Sequence, residues 1–363
     1  MTVLAANLGV AVISAAAWFW LLVRIDPHHR EKLTTGRLFI SLLLGLASIP
    51  LVILLYELAP DLVSGIQSEQ GQEFVTHVFV VGPVEEFAKF FIFFLIMVIR
   101  KPVQEPLDGM LHAAMVALAF SVTENVQYGL HYGAGLAVAR TFLATPGHLT
   151  YACIWGFAYA VLIHDNPRHR PRDFVILFFS IYPAALLHGM SNFLLGVIFE
   201  WALLSDMIQF AAAFGLLAWI QRSSPFRPFS LAEAQKAVHR IDLGLESNAN
   251  SFPLHLRAAL ARAALGDFTR ARRHVDRCLR LQKGHAFALA LFGAIQVLQG
   301  ETTKGEEALR FSYPSLAERQ KRTIRRLSRH VASSRRTDNA YNEFQLSMWI
   351  RNPTEAIRHA AAR

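Results

Sequence analysis

The sequence predicts an all-α protein: a polytopic membrane helical bundle of about seven transmembrane helices, followed by a small cytosolic helical-repeat domain. Three observations predict it. Seven apolar stretches reach the ~20 residues needed to cross a bilayer. The connections between them alternate between basic and non-basic. The polar remainder carries a 34-residue internal period, between Gly266 and Gly300. The averages conceal this division: 53% of the 363 residues are hydrophobic, 17% are charged and the mean hydropathy is +0.31. The expected boundaries are 1–220 for the membrane domain, 221–309 for the helical repeats and 310–363 for a basic tail.

The apolar stretches fall near 3–23, 38–59, 74–99, 108–132, 144–163, 174–199 and 201–220. The start, M-T-V-L-A-A-N, lacks a basic n-region and a small-residue cleavage site, so it reads as a first span. The first connection carries Arg24, Arg30, Lys32 and Arg37, the third Arg100 and Lys101, and the fifth Arg168, Arg170 and Arg172. The second has no Lys or Arg, the fourth only Arg140, and the sixth little but Glu200. Basic loops stay cytoplasmic, which places the N-terminus outside and the C-terminal domain in the cytosol of a plasma-membrane protein. Cys153 and Cys278 lie in different regions, which excludes a mutual disulfide and any cysteine-based metal site.

The third stretch contains V-V-G-P-V-E-E-F-A-K-F-F, with Glu85, Glu86 and Lys89 inside an apolar run. Ionised groups in hydrocarbon cost roughly 2.5–3.5 kcal/mol each even on lenient scales. Lys89 can pair with Glu85 at i,i+4 or with Glu86 at i,i+3, which leaves one carboxylate over. Gly82-Pro83 loosens the helix just before them, because Pro has no N–H to donate. The fourth stretch holds Glu124 and Asn125 in T-E-N-V-Q-Y, the fifth His148 in T-P-G-H-L-T-Y, and the sixth His188 and Asn192 in L-L-H-G-M-S-N-F. Counted from the expected outer edges, Glu86, Glu124, His148 and His188 fall about 5–18 Å deep at ~1.5 Å per residue, which predicts one polar cavity opening outward.

Glu and His in a dry pocket suit water activation by a carboxylate, with a His or Asn donating to an oxyanion. They also suit a Zn²⁺ site of two His and one Glu, although the H-E-x-x-H spacing is absent. A proton relay in a transporter uses the same residue types, and a receptor signalling through its repeats needs none of them.

In the polar region L-G-D-F at 265–268 is echoed by L-Q-G-E at 298–301, and Ala237 and Leu245 recur as Ala271 and Leu279. This is a tetratricopeptide-like pattern of stacked helix pairs, which offers a surface to a cytosolic protein partner. The basic run from Arg319, with the net charge of +9 and pI of 9.8, faces anionic lipid; no nucleic-acid-reading motif accompanies it.

In order, P-V-E-E-F-A-K-F, S-V-T-E-N-V-Q-Y-G, P-G-H-L-T-Y with W-G-F-A-Y, and L-L-H-G-M-S-N-F resemble the motifs of the PrsW family of intramembrane proteases, related to the CAAX prenyl endopeptidases and Abi-type membrane proteins. The resemblance covers about 74–199; the C-terminal repeats are outside it. It implies a glutamate-dependent membrane peptidase without metal or other cofactor, acting on a single-span, anti-sigma-factor-like membrane protein near its extracytoplasmic side. Glu85, Glu86, His148 and His188 match the catalytic positions, and Lys89, Glu124, Asn125 and Asn192 match supporting ones.

Overall fold

The computed structural model describes residues 2–25, 35–100, 103, 105–164, 170–227 and 229–334. Arg30, Lys32, Lys101, Arg168 and the basic stretch from 335 onward lie outside the described residues. Every regular element among the described residues is helical, and the chain divides into two compact units, the first Met1–Ser223 and the second starting at Ser224.

The first unit contains α1 (Thr2–Ile25), α2 (Thr35–Gly45), α3 (Ser48–Leu58), α4 (Glu69–Val75), α5 (Gly82–Arg100), α6 (Pro106–Tyr132), α7 (Ala134–Tyr159), α8 (Pro171–Phe179), α9 (Ile181–Val197) and α10 (Phe199–Ser223). Among the described residues, six helical segments are long and apolar enough to cross a membrane: Val3–Ile25, Thr35–Leu58, Pro106–Tyr132, Ala134–Ile163, Pro171–Val197 and Glu200–Ser223. The expected third span is not among them. Its helix, α5, is 19 residues long and carries Glu85, Glu86 and Lys89, so the site itself dilutes the apolar signal.

That helix continues from α4 through a π-helical turn, Thr76–Val81, in which the Gly82 N–H donates to His77 O five residues back. The cause is local: Pro83 supplies no N–H, and a widened turn absorbs the missing bond. Gly82 lies against Ala185 O, and Gly189 against His77 O and Val78, so a Cβ at either position would collide with backbone. The two glycines let α9 approach the π turn closely.

For the fifth span the sequence leaves Ala134 to Thr145 open as an interfacial helix or as part of the span, and the structure adopts the second. Rather than starting near 144, α7 runs unbroken from Ala134 with Pro146 inside it, because Ala137 and Thr141 are buried and hold the first turns against the bundle. His148 is therefore mid-helix. α6 is the central element, with Leu107 to Ser121 all buried. Around it large apolar side chains face outward: Ile13 (70% exposed), Phe142 (69%) and Met207 (62%) are apolar surface of the kind a bilayer covers.

The second unit contains a 3₁₀ turn (Leu231–Glu233), α11 (Ala234–Ser247), α12 (Phe252–Ala264), α13 (Phe268–Leu281), α14 (Ala286–Leu298), α15 (Thr302–Ser312), a 3₁₀ turn (Tyr313–Ser315) and α16 (Glu318–Ser334). The 34-residue period is visible in its turns. Leu265, Gly266 and Asp267 N–H groups donate to Ala261, Ala263 and Arg262 O; Gln299, Gly300 and Glu301 repeat this onto Ile295, Val297 and Gln296 O. Gly266 (φ 78°) and Gly300 (φ 94°) both occupy the left-handed conformation that closes the helix end. Residues 318–334, expected within the basic tail, form α16 instead. Ile324, Leu327 and Val331 make an apolar stripe at helical spacing that joins the core with Leu254, Ala258, Leu291 and Ile295.

Candidate active site

Four helices and one tyrosine build the site. α5 presents Glu85, Glu86 and Lys89, α6 Glu124 and Asn125, α7 His148 and Trp155, and α9 His188; Tyr56 comes from α3. Glu86 and Lys89 are fully buried, and Glu85, Asn125, His148 and His188 nearly so.

The two adjacent glutamates are not equivalent. Glu86 is saturated. Its Oε1 accepts from Lys89 Nζ at 2.5 Å and lies 3.0 Å from His188 Nδ1, and its Oε2 accepts from Trp155 Nε1 at 3.1 Å. Of the two pairings open to Lys89, the structure adopts i,i+3. Glu85 is the carboxylate left over. Its Oε1 accepts from the Tyr56 hydroxyl at 2.9 Å, while Oε2 is buried without a hydrogen bond, 3.6 Å from His188 Nε2.

The histidines are fixed from both sides. His148 Nδ1 lies 3.2 Å from Lys89 Nζ and its Nε2 3.0 Å from Glu124 Oε2. An ammonium can only donate, so a neutral His148 carries its proton on Nε2, toward Glu124. Arg140 NH2 reaches Glu124 Oε1 at 2.7 Å, Arg140 Nε donates to Asn125 Oδ1 at 3.0 Å, and the guanidinium stacks over Tyr128 at 3.8 Å. Asn125 in turn donates to Thr145 Oγ1 at 3.1 Å. The His148 and His188 rings meet edge to face, 4.8 Å apart at 78°. Three carboxylates thus face two obligate cations, Lys89 and Arg140, and the uncompensated one by geometry is Glu85.

Seven of the eight sequence-selected residues are brought into this one network. Asn192 is not: it is half-buried and makes no hydrogen bond to the others. The network also takes in Tyr56, Arg140 and Trp155, which the motifs do not single out. Trp155 stands within W-G-F-A-Y, and Arg140 was the sole basic residue of an otherwise non-basic connection, a signal that counting loop charge discards. Tyr56 offers no local signal at all.

Glu85, His148 and His188 also bring ligand atoms within 4.8 Å of one another, all buried. The donor types fit a two-His, one-Glu metal site. Glu85 Oε2 and His188 Nε2 are free to turn toward an ion, and Glu86 on His188 Nδ1 is the second carboxylate that orients such a histidine. His148 fits only by exchanging a partner, since both its nitrogens face Lys89 and Glu124.

Residues 34–220 match the family described as "PrsW family intramembrane metalloprotease". Among curated relatives, Protease PrsW of Clostridioides difficile (strain 630) is 28% identical over 129 residues, 34% of this chain and 53% of that protein. Protease PrsW of Geobacillus kaustophilus (strain HTA426) is 26% identical over 220 residues, covering 60% of this chain and 89% of the relative. That of Shouchella clausii (strain KSM-K16) is 31% identical over 147 residues, covering 40% and 66%. The match to the first of these spans about half of that relative's length. No solved structure matches the chain.

Proposed function

The chain belongs to the PrsW family, and on that premise we propose that this multi-pass membrane protein is an intramembrane endopeptidase that uses a glutamate as general base. The observation that carries the reading is the asymmetry of the glutamate pair: one carboxylate saturated by three donors, its neighbour buried with an open oxygen 3.6 Å from a histidine nitrogen. A water touching both Glu85 Oε2 and His188 Nε2 would lose a proton to Glu85 and attack the peptide carbonyl. Protonated His188, flanked by Glu85 and Glu86, would donate from Nε2 to the oxyanion, and Glu85 would pass its proton to the departing amine. Glu86 and Lys89 hold His188 and His148 in place, and His148 with Glu124 closes the other side. This makes Glu85, not Glu86, the base.

The substrate class that fits is a single-span membrane protein whose scissile peptide is locally extended, since a helix hides its carbonyls in bonds that lipid makes costly to break. Cleavage near the extracytoplasmic side and a cytosolic second unit follow from the loop-charge topology. A reporter after Arg222 should then read cytoplasmic and one near Ser64 external, and swapped readings would reverse the side of cleavage. The tetratricopeptide-like hairpins of the second unit would recruit a cytosolic protein.

A second reading rests on the Glu85–His148–His188 donor cluster. A divalent ion held there would acidify a bound water and supply hydroxide at neutral pH. Purified protein distinguishes the two: activity unaffected by chelation, with no stoichiometric metal, supports the glutamate mechanism, whereas zinc lost together with activity supports the metal site. The peptidase reading itself is tested by quantitative mapping of new N-termini in host membranes. Single-span proteins should gain a terminus with the wild type and not with Glu85→Gln; identical maps would refute it.

A further inference from the structure

Beyond Glu200 in its first turn, α10 carries a second carboxylate, Asp206, about two turns from its start among apolar neighbours that face outward, Trp201 (60% exposed), Met207 (62%) and Ile208 (62%). A charge within a membrane-length helix is costly and points to a role. Asp206 turns inward. Its Oδ1 accepts from Ser191 Oγ, itself buried in α9, at 2.6 Å, and the Tyr151 hydroxyl faces the same pair. Ser191 stands three residues after His188, so both project from one side of α9.

Tyr151 links this pair to the site. Its ring is nearly parallel to the His188 imidazole, 5.3 Å away at 20°, while His148 meets His188 edge-on from another direction. His188 is thus bounded by Tyr151, His148 and the two glutamates. The in-plane position of His188 is set by its bond to Glu86, but the plane of the ring is set by what it stacks on. Tyr151 can hold that plane only if its own hydroxyl is fixed, and a buried phenol is fixed through a hydrogen-bonding partner.

We propose that Asp206, together with Ser191, is a positioning group that fixes Tyr151 and through it the orientation of the His188 imidazole. Asp206 does not touch the reacting atoms. Its kinetic consequence rests on the peptidase reading above; its effect on His188 does not.

The test uses the full chain, labelled with ¹⁵N-histidine and reconstituted in liposomes, with the His188 ring signals assigned by their loss in His188→Gln. Asp206→Asn should shift or split the His188 signals, Asp206→Glu should restore them, and Tyr151→Phe should reproduce the Asn pattern. Asp206→Asn added to Tyr151→Phe should change nothing further, because both break one linkage. On a fluorogenic single-span peptide built on a mapped cut site, kcat should fall about 10–100-fold with KM little changed. A role confined to anchoring α10 would lower folded yield yet leave the His188 signals and the kcat per folded molecule intact, and that result overturns the proposal. Additive effects of the two substitutions overturn it too. Should Asp206→Asn fail to fold, Tyr151→Phe keeps the Ser191–Asp206 bond and gives the same readout. Cleavage indifferent to Glu85→Gln would sink the peptidase reading alone, leaving the His188 spectrum to decide this one.

Discussion

The two units of the chain are built in opposite senses. In the first, ionisable side chains lie inside and large apolar ones outside: Lys89 and Glu86 are fully buried while Phe142 and Met207 are well over half exposed. In the second, Leu254, Val275, Leu291 and Ile295 are buried and α16 turns Arg322, Arg326 and Arg329 outward. A charge on a water-exposed face costs little, so the second unit's arginines carry little functional information. The buried charges of the first unit have been taken out of both water and lipid; Glu86 and Glu124 persist beside the cations Lys89 and Arg140, and Glu85 is held without one. The contrast shows where chemistry should be sought: in the unit that holds its charges against their cost.

The largest expected effects test that contrast directly. Lys89→Met leaves Glu86 buried beside His188 and Trp155 without its cation, and removing one partner of a buried pair costs about 3–5 kcal/mol. Arg326→Met on the second unit should stay within about 0.5 kcal/mol. Thermal unfolding of both full-length variants would compare them; equal shifts would erase the distinction. Next, His188→Ala should lower the cleavage rate about 10²–10³-fold in protein that still inserts, the usual cost of losing one oxyanion donor. Full activity would remove His188 from the mechanism.

A smaller effect concerns the second unit alone. His255 and His274 place their Nδ1 atoms 2.9 Å apart, and burial, helped by the neighbouring His255, pushes His274 down to about 4. The unfolded chain therefore binds more protons than the folded one between about pH 6.5 and 4. Stability from this pair is fully present above pH 6.5 and is lost as pH falls through that window. The melting transition of the second unit should drop over this range, and His274→Gln should flatten the dependence; an unchanged slope would assign the pH response elsewhere. Smallest of all, truncation after Arg227 should change cleavage of an overexpressed substrate only a few-fold, since every site residue precedes Ser224. Total loss in a normally inserted protein would show that the second unit participates in the chemistry.

Much of this was legible in the sequence because polar residues stand out against an apolar background. The E-E-x-x-K run, the two histidines and Glu124 declare themselves, and Gly82-Pro83 announces a disturbed helix that proves to be a π turn. What stayed hidden depends on rotation and depth. Lys89 is within helical reach of either glutamate, and only tertiary contacts from Trp155 and His188 select Glu86 and leave Glu85 open. The segment Ala134 to Thr145 reads equally as an interfacial helix or as part of the fifth span, and only the packing of Ala137 and Thr141 makes α7 one continuous helix through Pro146. Tyr56 and Asp206 each lie alone on a distant segment, and nothing local says what they touch. α16 was lost among its own arginines, although Ile324, Leu327 and Val331 keep a helical spacing.

The most direct measurement compares Glu85→Gln with Glu86→Gln in purified full-length protein, reconstituted in liposomes with a single-span peptide built on a mapped cut site. Each variant's folded fraction is recorded alongside its rate. Glu85→Gln should fold like the wild type and lose cleavage by more than about 10³-fold, because it removes only the open base. Glu86→Gln should principally lose folded protein, because it strands Lys89 in the core. Cleavage that survives Glu85→Gln, or a Glu86→Gln protein that is stable and catalytically dead, would contradict the assignment of Glu85 as the base.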